Sequence, residues 1–291
     1  MAIKVITDIN CGNYCAVGHP ERPVRILKTV EKFKNQSELE IISENAQPID
    51  EALLLKAHTK ELIDSIKNAD TDFDNDTPAY PDIYKYASVA AGGAFAAAMS
   101  ALNGEGAFSL LRPPGHHSTK DKAMGFCYFN NIAIAAKFIA EDKGTRIAIY
   151  DFDVHHGNGT EDILLNQPLT AFYSVHEFPH YPGTGTSHIG NNCFNYPMPP
   201  NSPRVDYLKR LEEALNDLKK FNPSIVGVSA GFDAFIKDPL ATQLLEVEDF
   251  YWLGRQFKKL DLPIFCVLEG GYSYELPDLI MAFLKGINEN N

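Results

Sequence analysis

RIAIYDFDVHHGNGT (146–160) decides the fold. Its first half is a short apolar run bounded by polar residues, the pattern of a buried strand. Its second half turns polar at once, with two aspartates, two histidines and two glycines among the nine residues DFDVHHGNG. The same pattern recurs to either side. AFSLL (107–111), TAFYSV (170–175), SIVGVSA (224–230) and PIFCVLEG (263–270) read as further strands, as does the opening MAIKVITD. Helical stretches lie between them: NNIAIAAKFIAED (130–142), VDYLKRLEEALNDLKKF (205–221) and VEDFYWLGRQFKKL (247–260). This alternation predicts an α/β fold whose mainly parallel sheet is covered on both faces. With no internal repeat and no linker rich in Gly, Ser or Pro, residues 1–291 are expected to form a single domain.

Composition narrows the function. Of 291 residues, 45% are apolar and 22% charged, which excludes disordered, collagen-like and disulfide-scaffold chains. A net charge of −12 lacks the footprint of a nucleic-acid binder and suits a cationic substrate. The five cysteines (11, 15, 127, 193 and 266) are too scattered for a disulfide framework and read as free thiols in a reducing compartment. The N-terminus reads as a strand with no room for a signal sequence, and the uncharged stretch 87–102 is short for a membrane span. A cytoplasmic protein without membrane contact is expected. In NADTDFDNDTPAYPD (68–82), counting from Asp70 puts Asn75 and Pro81 where a calcium-binding EF-hand loop needs Gly and Glu. The segment reads instead as a solvated acidic loop, a candidate rim for a substrate entrance.

Seven of the nine histidines fall between His116 and His188, just after predicted strands. In open parallel sheets, ligands bind beyond the carboxyl ends of the strands. Asp153 and His155 are two apart at a strand end, where period-two geometry aims both at one centre. Asp233, closing SIVGVSAGFD, is the candidate third ligand of a catalytic zinc site with an open position. His116 and His117 follow Arg112-Pro113-Pro114-Gly115. They can divide acid and base roles if their partners differ, and Asp151 and Asn158 are one charged and one neutral candidate partner. Tyr272, in EGGY, is a candidate donor to a developing oxyanion. Each feature alone has a bland reading as a loop or core residue. Together they do not.

These residues resemble the histone deacetylase family, a branch of the arginase–deacetylase superfamily that includes acetoin-utilisation proteins and acetylpolyamine amidohydrolases. From HPERP (19–23) onward, RPPGHH, GFCYFNN (125–131), DFDVHHGNGT (151–160), PGTGTSHIG (182–190), SAGFDA (229–234) and EGGY (269–272) occur in family order. The resemblance implies a three-layer α/β/α domain with an eight-stranded sheet and a zinc-dependent amidohydrolase. Its substrate would be acyl-lysine in proteins or peptides, carrying acetyl or another short acyl group, with acetylated polyamines as the alternative. By the same resemblance Asp153, His155 and Asp233 match the metal ligands, His116 and His117 the paired histidines, and Tyr272 the transition-state tyrosine. Asp151, Asp153, His155 and Ser174 match a structural potassium site. Gly125, Phe126, Tyr181 and Leu240 match the acyl-lysine tunnel and Gly271 a further substrate contact. Asp76 matches a rim aspartate that binds the substrate backbone, and Arg22 an arginine of the internal product pocket.

Glu269 and Asn158 look like the class II branch of that family. Tyr181 stands where phenylalanine is common. Leu240 stands where one polyamine-selective member has glutamate, whereas the region from CFNYPM to DPL (193–240) looks like bacterial acetylpolyamine amidohydrolases. A binuclear manganese hydrolase would need a DxHxD string, and this chain has DFDVHH. An inactive acyl-lysine binding module is disfavoured by the intact ligand set and Tyr272. Ligand type alone does not choose between zinc and iron(II). Oligomeric state is left open by the sequence.

Overall fold

A computed structural model describes residues 2–289. Eight strands carry the fold: β1 (Ile3–Thr7), β2 (Ile41–Asn45), β3 (Ala107–Leu110), β4 (Ile147–Asp151), β5 (Thr170–Glu177), β6 (Cys193–Met198), β7 (Ile225–Ala230) and β8 (Ile264–Leu268). They form one sheet in the order β2-β1-β3-β8-β7-β4-β5-β6, every neighbouring pair parallel. Parallel neighbours need crossover connections, and helices supply most of them. The long helices are α1 (Val24–Asn35), α2 (Ile83–Leu102), α3 (Asn131–Glu141), α4 (Arg204–Phe221), α5 (Val247–Lys258) and α6 (Leu276–Asn288). α5 and α6 pack together with α1 against α6, while α2 packs on α3 and lies against β3 and β8. Every residue of β3, β4, β5, β7 and β8 is buried, so both faces of the sheet are covered as the apolar runs require.

Two strands escape the sequence pattern, and both are edges. β2 is largely exposed and reads IISEN, too polar to announce itself. β6 contains Pro197, which a sheet tolerates at its edge because the missing N–H faces no partner strand. One local expectation is corrected. β4 ends at Asp151, so Asp153 and His155 lie in the loop beyond it and strand alternation does not aim them. Their geometry comes instead from side-chain-to-backbone hydrogen bonds. Asp151 Oδ1 accepts from Asp153 N at 3.0 Å, and Asp153 Oδ1 accepts from His155 N at 2.9 Å.

Candidate active site

The loops after β3, β4, β7 and β8 meet at one edge of the sheet. There Asp153, His155 and Asp233, all buried, bring one ligand atom each within 4.8 Å of one another. His155 Nδ1 lies 3.1 Å from Asp153 Oδ1 and 3.0 Å from Asp233 Oδ2. Burial lowers the His155 pKa, but the hydrogen bonds to both aspartates reverse that and bring it to about 10. Burial raises Asp233, and the Asp153 charge adds to this, to about 7. Two carboxylates confined together away from water demand a cation or a proton. Their oxygens and one imidazole nitrogen are a donor set that suits a divalent transition metal. Gly270 belongs to this packing. A Cβ there would sit 2.1 Å from Asp233 Oδ2 and 2.5 Å from Asp153 Oδ2, and its N–H donates to Asp153 Oδ2 at 2.6 Å.

The two adjacent histidines differ sharply. His116 Nδ1 donates to Asp151 Oδ2 at 3.0 Å, and His117 Nδ1 to Asn158 Oδ1 at 2.8 Å. Burial pulls His116 down, yet the charges of Asp153 and Asp151 outweigh it and raise its pKa to about 10. Burial also lowers His117, repulsion from His116 and His155 adds to that, and no carboxylate faces its Nδ1, so it is held well below the usual imidazole range. Their rings are 4.0 Å apart, one a cation at neutral pH and the other a neutral base.

Sequence reasoning assigned Glu269 no role. Its buried carboxylate accepts from Gly115 N at 2.7 Å, His116 N at 3.2 Å and Ser229 Oγ at 3.1 Å, so it fixes the turn that carries both histidines. Burial raises its pKa to about 7. Asp238 was missed as well. It accepts from Tyr272 N at 2.6 Å and Leu240 N at 3.0 Å, holding the backbone at these two positions together. The signal for both was a lone acidic residue in an otherwise apolar or glycine-rich context.

Tyr272 is buried, with its ring 5.8 Å from that of Phe126, and burial raises its phenol well above the ordinary value. Behind it stands Arg25 and not Arg22. Arg25 Nε donates to the Gly271 carbonyl at 2.7 Å, another of its nitrogens donates to the Glu269 carbonyl, and its guanidinium lies 4.9 Å from the Tyr272 ring centroid. Arg25 shares Glu21 with the fully buried Arg112. Arg22, three residues earlier, lies instead over the ring of Tyr274. The register of the helix start decides between them.

At the mouth, Gly125 adopts φ +57, and a Cβ there would meet His117 Cδ2 at 2.7 Å and the Tyr181 hydroxyl at 2.9 Å. Phe126 follows at φ +68, a strained value for an aromatic residue. Tyr181 packs edge-on against His117 at 5.0 Å, with its hydroxyl buried and unpaired among the described residues. Asp76 is exposed and its backbone carbonyl meets His19 Nε2 at 3.2 Å, whereas Asp74 accepts from Gly125 N at 3.3 Å. Asp151 and Ser174 are register partners on β4 and β5, and Ser174 Oγ lies 2.9 Å from His176 Nδ1. No helix among the described residues is long and apolar enough to cross a membrane.

The chain is similar to known proteins in sequence and in fold. A family model described as histone deacetylase domain matches residues 19–286. A probable deacetylase of Archaeoglobus fulgidus is 35% identical, the match covering 88% of this chain and 77% of the relative. An acetylpolyamine amidohydrolase of Mycoplana ramosa is 37% identical over 62% of this chain and 56% of its own. Among solved structures, the acetylpolyamine aminohydrolase of Burkholderia pseudomallei superposes with a TM-score of 0.90 at 25% identity, covering 98% of both chains. The HDA15 HD domain gives 0.90 at 29% identity, covering 97% of this chain and 88% of that one.

Proposed function

This chain belongs to the histone deacetylase family, and from that premise we propose that it is a zinc-dependent amidohydrolase that removes acetyl or other short acyl groups from the ε-amine of acyl-lysine in proteins or peptides. The observation that carries this reading is the buried Asp153–His155–Asp233 cluster beside two histidines, one facing a carboxylate and the other an amide oxygen. Those three residues would hold the metal, which when bound supplies a Lewis acid for the amide carbonyl and for water.

The remaining roles fall to the protein's own groups. His117 keeps its proton on Nδ1 through Asn158, leaving Nε2 as the general base that takes a proton from water and returns it to the leaving amine. His116, held as a cation by the charges of Asp153 and Asp151, stabilises negative charge and does not accept a proton. Tyr272, kept a neutral phenol by burial, donates to the oxyanion. Gly125, Phe126, Tyr181 and Leu240 guide the alkyl stem, Gly271 shapes the wall beside Tyr272, and Asp76 receives the substrate at the rim. A structural potassium belongs to the same reading, with Asp151, Asp153, His155 and Ser174 around it. Residues 1–291 are taken as one deacetylase domain working in the cytoplasm.

A second reading, an acetylpolyamine amidohydrolase, draws on the amidohydrolase relatives and on the 98% coverage of the Burkholderia pseudomallei structure. Deacylation of an acetyl-lysine peptide and of N-acetylputrescine by the zinc-loaded protein, with Asp76→Ala in parallel, separates the two. Preference for the peptide, lost in the variant, supports the lysine reading. Preference for the polyamine replaces it.

A further inference from the structure

A cavity of about 740 Å³ opens beside Tyr272, lined among others by His19, Arg22, Lys237, Leu240 and Ser273. Its charges are unequally committed. Lys237 pairs with Glu275 at 3.1 Å. Arg22 makes no ion pair among the described residues. Its guanidinium stacks on Tyr274 at 4.6 Å and reaches that hydroxyl at 3.4 Å, and its Nε is buried without a hydrogen-bond partner among the described residues. Ser273, 9% exposed, also presents a buried hydroxyl without a partner. A buried donor left unpaired costs free energy until something accepts from it. A guanidinium already oriented on an aromatic face is a ready fork for a carboxylate.

We infer that this cavity binds a carboxylate of the substrate, with Arg22 as its counter-charge and the Ser273 hydroxyl as a second donor. The inference rests on the acyl-lysine reading and deepens it. Tyr272 and Leu240 border both the cavity and the proposed acyl-lysine tunnel, so a group bound there sits next to the stem of a substrate whose amide is at the metal cluster. His19 lines the same cavity and its Nε2 meets the Asp76 backbone carbonyl, which brings the acidic loop to the cavity's edge. The mouth therefore carries an acidic side and a cationic side, which matches a substrate bearing an amine or amide N–H on one flank and a carboxylate on the other. Polyamines carry no carboxylate, and their ammonium groups would be repelled by Arg22. The carboxylate is either the α-carboxylate of the acyl-lysine itself or an acidic side chain beside it in a peptide.

The test uses zinc-loaded full-length protein and paired substrates: Nε-acetyl-lysine with a free α-carboxylate against its carboxamide, and an acetyl-lysine peptide with Glu against Gln next to the modified residue. N-acetylcadaverine, the same stem without the carboxylate, serves as the reference. The expected result is a kcat/KM ratio of about tenfold in favour of the acid in one pair, the scale of one charge-assisted contact. That ratio should collapse toward one in Arg22→Gln and survive in part in Arg22→Lys. The pair that shows the ratio identifies the source of the carboxylate. Equal rates within both pairs, or an Arg22→Gln variant that lowers all rates and keeps the ratio, overturns the inference alone. Turnover of none of these amides overturns the functional reading and the inference with it.

Discussion

The floor and the mouth of the site are built on opposite principles. On the floor, the carboxylates of Asp151, Asp153, Asp233 and Glu269 are buried, and each accepts from at least one backbone N–H. At the mouth, the Tyr181 hydroxyl, Arg22 Nε and the Ser273 hydroxyl are buried with no partner among the described residues, and Asp76 is exposed. The difference teaches how labour is divided. A floor whose donors are fixed before substrate arrives does not reorganise during reaction, which is where electrostatic catalysis gains most. A mouth with unspent hydrogen-bonding groups decides which substrate is worth binding.

Substitutions can break or sharpen that contrast, and their effects should shrink from floor to mouth. Asp233→Asn keeps an oxygen for Val154 N, now at 2.8 Å, but removes one anionic ligand. It should cost more metal affinity than the 10–100-fold typical of residues behind the ligands, and abolish turnover, as checked by metal content and deacylation. Tyr272→Phe should keep its metal and lose roughly 10²–10³ in kcat. Near-full turnover in that variant would remove Tyr272 from the mechanism. Asn158→Asp places an anion on His117 Nδ1 and favours the imidazolium, raising a pKa that the wild-type environment depresses. A base must be neutral to act, so activity should fail earlier on acidification and the acidic limb of the pH–rate profile should move to higher pH. An unmoved limb would assign the base elsewhere. Tyr181→Phe deletes an unpaired hydroxyl and should change stability by no more than about 1 kcal/mol, with a few-fold change in kcat/KM that depends on acyl chain, measured by melting and by an acyl-length series.

The same contrast explains what the sequence made legible. The floor is spelled in short strings, RPPGHH, DFDVHHGNG, SAGFD and EGGY, because its residues sit in loops directly after β3, β4, β7 and β8, which are neighbours in the sheet. That Asp153, His155 and Asp233 come together, and which groups face His116 and His117, could be named from those strings, although the loop hydrogen bonds that aim Asp153 and His155 could not. The mouth is assembled from segments with no local pattern. That Arg25 and not Arg22 stands behind Tyr272 depends on where α1 begins. That Asp74 and not Asp76 contacts Gly125 depends on the folding of the acidic loop. The central strands announced themselves by continuous apolar runs, and the edge strands β2 and β6 did not because an edge needs fewer apolar residues.

The Glu21–Arg112–Arg25 group has a consequence for folding. Arg112 joins Glu21 across 91 residues, Arg25 joins Gly271 across 246, and Glu269 reaches Gly115 across 154. Contacts of such separation form only after long loops have closed, which slows folding and delays its last steps. Because these contacts span the loops bearing the two histidines and the tyrosine, recovery of activity after dilution from denaturant should lag behind recovery of helical signal. The site would then act as a late reporter of complete chain assembly.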